Sequence, residues 1–302
     1  MSEQAAAPTG ARSGAVTRFV LGAFVPSWAL AATFFVLSRA TGKAPPMMLM
    51  ALMFMVFPAA SAIGVQKLVL REKVWEPLAI ALRPSRWMLL AWLAPLGISA
   101  ASLALGSLVP GQELSLDMSA FWERVAATTT PEKLAELERN AAALPVHPAL
   151  LSLGQGMLTG LTVNAVVALG GEIGWRGLMH KELRGRGLWR VALVTGLVWG
   201  VWYAPLVLQG HNYPDHPVAG ALLQVVFCVL AAPICTWLRA RSGSVVPSAI
   251  FLGTLNATAF LPLMLTRGGT DLTLGILGLP GLAILLALNL TLWRPLRTDF
   301  SS

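Results

Sequence analysis

Charge is scarce in this chain. Asp, Glu, Lys and Arg together make up 12% of its 302 residues, about half the roughly 25% of an ordinary soluble domain. That deficit excludes a freely soluble globular protein, and a hydrophobic content of 56% excludes a disordered one. Cysteine is nearly absent as well. Cys228 and Cys235 lie in one apolar segment, where helical geometry puts them on one face about 10 Å apart along the axis, too far for a disulfide. They therefore say nothing about redox compartment. Acidic residues number 14 against 22 basic ones, a net charge of +8. The basic residues fall in connections between apolar runs, so they read as topology signals and not as a nucleic-acid surface.

Long apolar runs are what the chain has in quantity. They come in blocks of about 20 residues, the length that crosses a hydrocarbon core about 30 Å thick, and the mean hydropathy is +0.68. The expected fold is all-α, a polytopic integral membrane bundle of about eight transmembrane helices. The expected spans are 19–37, 46–65, 87–108, 149–170, 191–208, 218–238, 245–264 and 272–293. The first is too long for a signal h-region and lacks a cleavage site, so it reads as an anchor. Five regions follow: a tail (1–18), three N-terminal spans (19–108), a connection (109–148), a core of spans four to seven (149–264), and a final span with a tail (265–302).

One side of this arrangement holds Arg12, Arg18, Lys67, Arg71, Lys73, Arg83, Arg86, Lys181, Arg184, Arg186, Arg190, Arg239, Arg241, Arg294 and Arg297. The other holds only Arg39, Lys43, Arg124, Lys133, Arg139 and Arg267. The positive-inside rule then puts both termini in the cytoplasm. The long external connection carries Thr130-Pro131-Glu132, a helix start with Thr as cap and Pro at the first helical position. The run Met47 to Met55 reads as adaptable packing. Gly156/Gly160 and Gly196/Gly200 are small-x-x-x-small pairs that permit close helix approach.

An ionisable residue inside a span is a functional candidate by default, because leaving it unpaired there costs a few kcal/mol or more. One cluster qualifies: Gly170-Gly171-Glu172-Ile173-Gly174-Trp175-Arg176-Gly177, at the end of the fourth span. Glu172 and Arg176 are one helical turn apart and can neutralise each other; a structural ion pair and a functional one are equally open on spacing alone. Tyr203 follows Trp199 and Trp202 and precedes Pro205, expected to kink the fifth span. Asn256, midway along the seventh, reads by itself as interhelical glue. Trp175, Trp199 and Trp202 are the expected substrate-binding side chains. His211, Asp215, His216 and Tyr213 share an external loop that reads as interfacial packing more readily than as a metal site, and His180 reads as a headgroup contact. No metal and no cofactor are expected. The sequons at Asn256 and Asn289 lie within spans, out of reach of glycosylation.

Three segments, Gly-Glu-Ile-Gly-Trp-Arg-Gly, Trp-Gly-Val-Trp-Tyr-Ala-Pro and Leu-Gly-Thr-Leu-Asn-Ala-Thr, resemble the signatures of the CPBP family, the CAAX proteases and bacteriocin-processing enzymes. The resemblance is strongest from about 170 to 260. It implies an intramembrane endopeptidase of a bacterial plasma membrane, in which a Glu and a His activate water while a second His and an Asn support the oxyanion. Carried over position by position, the first Glu falls on Gly171, the second on Glu172 and the motif Arg on Arg176. The two His fall on Tyr203 and Leu252, and the Asn on Asn256. Neither a glycine hydrogen nor a leucine can take a proton, and tyrosine titrates near pH 10. Only Glu172, Arg176 and Asn256 survive from the motif. Glu172 is rotated by about 100° from the missing carboxylate, and Arg176 would weaken it as a base.

Three readings follow. The first is an impaired family member that binds a hydrophobic or lipidated peptide segment of a membrane client without cutting it, with lipids as its other partner. The second is an active endopeptidase in CAAX-type maturation or peptide processing, driven by Glu172. The third is a small transporter, for which no further intramembrane charge speaks. All three need the tips of separate helices to meet around a shared cavity open towards the cytoplasm.

Overall fold

The computed structural model describes residues 14–43 and 46–298, with side chains described as far as 293; Arg12, and the side chains of Arg294 and Arg297, lie outside that description. Its helices are α1 (Ala15–Thr41), α2 (Met47–Gly64), α3 (Arg86–Gly106), α4 (Ser119–Ala126), α5 (Pro131–Ala142), α6 (Pro148–Leu161), α7 (Val163–Glu172), α8 (His180–Leu183), α9 (Leu188–Val207), α10 (Pro217–Ser242), α11 (Val246–Thr258), α12 (Leu261–Met264) and α13 (Leu279–Thr298). A π-helical turn, Val65–Val69, extends α2, and a second, Ile173–Met179, joins α7 to α8. The only strands among the described residues are β1 (Glu113–Leu114) and β2 (Thr266–Arg267), an antiparallel pair. The protein is thus an all-α integral membrane bundle.

Among the described residues six helices are long and apolar enough to span, Ala15–Thr41, Met47–Val69, Arg86–Gly106, Leu188–Val207, Pro217–Ser242 and Val246–Met264, and the bent pair Pro148–Leu161 with Val163–Arg186 makes a seventh if it counts as one span. The expected fourth and eighth spans are corrected. The fourth is broken at Thr162 and bent by 45°. There the hydroxyls of Thr159 and Thr162 donate to the carbonyls of Gln155 and Leu158, each at 2.8 Å, a back-bonding pattern that bends helices. The eighth starts at Leu279 and not at Leu272, because the chain before it is wound into turns, with Leu279 N–H donating to the Leu272 carbonyl at 2.9 Å. Its apolar part, Leu279–Trp293, rises about 22 Å. Pro205 sits in the last turn of α9, where it coincides with the helix end.

Contacts sort the connections to two ends of the bundle, as the charge pattern requires. At the basic end Val245 N–H donates to Ala79 O at 3.0 Å and Lys181 pairs with Glu72. At the other end β1 meets β2, and His216 pairs with Asp271 at 2.6 Å. Thr130 caps α5 as expected, accepting from Lys133 N–H at 3.4 Å.

Small residues set the helix spacing. A Cβ on Gly156 would lie 2.9 Å from the Ala257 carbonyl, and one on Gly160 2.5 Å from Thr254 Cα, so α6 lies directly against α11. Gly196 and Gly200 do the same for α9 on α10, at 2.8 Å from Cys228 O and 2.7 Å from Val225 Cα. Both expected pairs therefore have named partners. Asn289 donates to the Leu230 carbonyl at 2.7 Å and ties α13 to α10.

Candidate functional site

The motif does not end its helix. Residues 171–180 are all buried, and the chain stays helical through the π-helical turn to Leu183. A π stretch widens the helix and is frequent at functional sites. Glycines allow it to sit deep in the bundle: a Cβ on Gly174 would meet the Phe19 ring at 2.6 Å and Pro58 at 3.2 Å, and one on Gly177 the Leu78 carbonyl at 3.2 Å. Glu172 and Arg176 are consequently inside the protein and not at a helix tip.

The two form an ion pair of 2.7 Å, with neither side chain more than 1% exposed. The Arg176 guanidinium also lies over the Trp199 ring, 4.9 Å from its centroid, an attraction that grows when the cation is desolvated. Trp175 packs edge-on against Phe19 and Trp202, with centroids 5.2 and 5.7 Å away. Trp202 is anchored by its indole N–H on Ser27 Oγ at 2.9 Å. Tyr203 lies 4.9 Å from Trp202 and 6.3 Å from Trp199, with its hydroxyl 4.0 Å from Met55 Sδ. The backbone of Met55 in turn packs on Gly170. Glu172, Arg176, Trp175, Trp199, Trp202 and Tyr203 are thus brought together from α7, the π turn and α9.

Gly171 belongs to the same cluster: a Cβ there would point at Trp175 Nε1, 3.2 Å away. Leu252 is buried in the apolar core. Asn256 is not brought in. Its side chain is exposed, and the contact of Gly160 with Thr254 places it level with the turn around Gly160. From Gly160 to Glu172 is twelve residues of the broken helix, about 18 Å of rise. The cause is the antiparallel register of α11 on α6 and α7, which moves each step along α11 away from Glu172. Interhelical glue, the role read for Asn256, is filled by Asn289.

Three histidine and tyrosine placements also differ from expectation. His211 does lie in the loop after α9, yet its ring stacks on Tyr203, with centroids 6.1 Å apart and planes 1° from parallel. Positive φ at Gly210 (97°) and Asn212 (66°) turns the loop back over the helix end, which no residue spacing discloses. Burial lowers the His211 pKa to about 4, so its ring is neutral at neutral pH. Tyr213 is fully buried on Gly220 instead of lying at the interface, its hydroxyl donating to Leu277 O at 2.9 Å. His180 points inward, 7% exposed, because the buried π turn carries it into the bundle.

Four polar atoms of the cluster, Glu172 Oε2, Trp175 Nε1, Arg176 Nε and Arg176 Nη2, are buried with no hydrogen-bond partner in the protein. Each such atom costs about 1–3 kcal/mol, so this is where a polar group of a bound molecule would gain most. Position 171 has no side chain, position 252 is aliphatic, and the one carboxylate is held by a guanidinium.

Residues 153–258 match the family model described as type II CAAX prenyl endopeptidase Rce1-like. That segment contains all three signature stretches, and the resemblance to CAAX proteases read from them holds for it. No curated protein matches the sequence.

Proposed function

We propose that this CAAX-protease-like membrane protein binds a hydrophobic or lipidated peptide segment of a membrane client and does not hydrolyse it. The observation that carries the reading is the Glu172–Arg176 pair, enclosed under Trp175, Trp199 and Trp202 with four polar atoms unsatisfied. The surrounding tryptophans suit an isoprenyl or apolar side chain, and the unsatisfied donors suit peptide carbonyls. Hydrolysis needs a general base able to reach a water. Gly171 and Leu252 supply none, and protonated Tyr203 is a donor turned towards a thioether.

The family match to an endopeptidase supports the scaffold and its hydrophobic substrate class. The preserved residues, on this reading, shape and electrostatically anchor the binding site. Both termini lie in the cytoplasm of a bacterial cell, in keeping with the basic end described above.

The test is binding of a fluorescent farnesylated C-terminal peptide to the full chain in detergent, followed by anisotropy. Saturable binding is expected, weakened on the order of tenfold or more by Trp199→Ala, since truncating a buried aromatic anchor typically costs 2 kcal/mol or more. Arg39→Gln, at the other end of the bundle, should leave it unchanged. Affinity equal in the wild type and Trp199→Ala, or no binding at all, would overturn the proposal.

A further inference from the structure

At the basic end a groove of about 660 Å³ opens between the first turn of α1, the turn after α8 and the flank of α9, lined by Val16, Thr17, Lys181, Glu182, Arg184, Arg186 and Val194. Its charged residues fall into two sets. Lys181 and Glu182 belong to a network with Glu72 and Gln66 and compensate one another. Arg184 and Arg186, by contrast, make no ion pair or side-chain hydrogen bond among the described residues. Two guanidiniums therefore share one groove mouth, and among the described residues no carboxylate pairs with either of them.

The groove then changes character with depth. Val194 is six residues into α9 from Leu188, about 9 Å further along the axis, and its side chain is 46% exposed. Val16 faces the same space from α1. Trp189 and Trp293 pack together at the start of α9, 5.0 Å between centroids, with the Trp189 indole donating to the Trp293 carbonyl at 3.2 Å. Tryptophans of that kind mark the headgroup layer. A soluble phosphate would use the arginines and leave the valine wall without purpose; an amphiphile uses both.

We propose that this groove is a binding site for an anionic phospholipid, its phosphate held between Arg184 and Arg186 and the start of an acyl chain laid against Val16 and Val194. The site is separate from the Glu172 cluster and independent of the function proposed for it. Basic pockets between helices at headgroup depth recognise anionic lipids through charge and apolar contact together.

Native mass spectrometry of the full chain, with dioleoyl phosphatidylglycerol or dioleoyl phosphatidylcholine added to the detergent micelles, tests this. The wild type should retain phosphatidylglycerol in preference to phosphatidylcholine. Arg184→Gln with Arg186→Gln should lower that retention by on the order of thirtyfold, given about 1 kcal/mol for each basic residue near a headgroup. Val194→Trp, which keeps both arginines and fills the apolar wall, should lower it as well. Inorganic phosphate at millimolar concentration should fail to displace the lipid. Equal retention of the two lipids, indifference to both variants, or displacement by inorganic phosphate would each overturn the proposal.

Discussion

Arg176 shows what a single side chain does in this protein. Its guanidinium answers the Glu172 carboxylate at 2.7 Å and covers the face of Trp199. Removing it strands a buried carboxylate, and breaking one side of a buried pair typically costs about 3–5 kcal/mol. Arg176→Leu should therefore unfold at markedly lower temperature in detergent, while Glu172→Gln combined with Arg176→Met should recover most of the loss. Equal stability of the single and double variants would refute the pairing. The pair itself is legible in the sequence, since four-residue spacing stacks both groups on one helical face. His211 is not, because its approach to Tyr203 depends on backbone turns at Gly210 and Asn212. Burial lowers the His211 pKa to about 4 from an ordinary 6.5. The unfolded chain then takes up the proton before the folded one does, so stability should fall as pH drops from about 6.5 towards 4. His211→Phe should flatten that part of the pH profile in thermal melts; an unchanged slope would show that other groups dominate.

Among the elements, the broken helix α6–α7 with its π turn organises the rest. Its glycines meet backbone or rings of α1, α2 and α11, and overpacking at such contacts costs about 1–3 kcal/mol. Gly174→Ala drives a methyl into the Phe19 ring, 2.6 Å from the added carbon, and Gly196→Ala forces α9 off α10. Both should lower the melting temperature. Gly97→Ala, with nothing within 4 Å of the added carbon, should be neutral or slightly stabilising. Equal effects at all three positions would mean that close approach is not what these glycines provide. The helices and most of their limits follow from apolar run length, and Gly156, Gly160, Gly196 and Gly200 were recognisable as packing residues. Their partners were not, because small-x-x-x-small spacing says that a neighbour comes close without saying which. The break at Thr162 is not legible, since threonine back-bonding bends some helices and leaves others, such as that at Thr195, unbroken.

For the molecule as a whole, charge asymmetry foretold which connections share an end, and the pairing of β1 with β2 and of Lys181 with Glu72 agrees. The functional readings require the three signature segments to converge. Convergence holds for Glu172, Arg176 and Tyr203 with their tryptophans, and it fails for Asn256, whose exposed position follows from helix register, a property no linear motif contains. The proposed binding role requires that a CAAX-protease-like scaffold remains while the group that activates water does not. Incubating the purified full chain with an internally quenched prenylated peptide, and following fluorescence release over many hours, measures this directly. No cleavage above a protein-free control is expected from the wild type or from Glu172→Gln; steady turnover by the wild type that Glu172→Gln abolishes would contradict the claim.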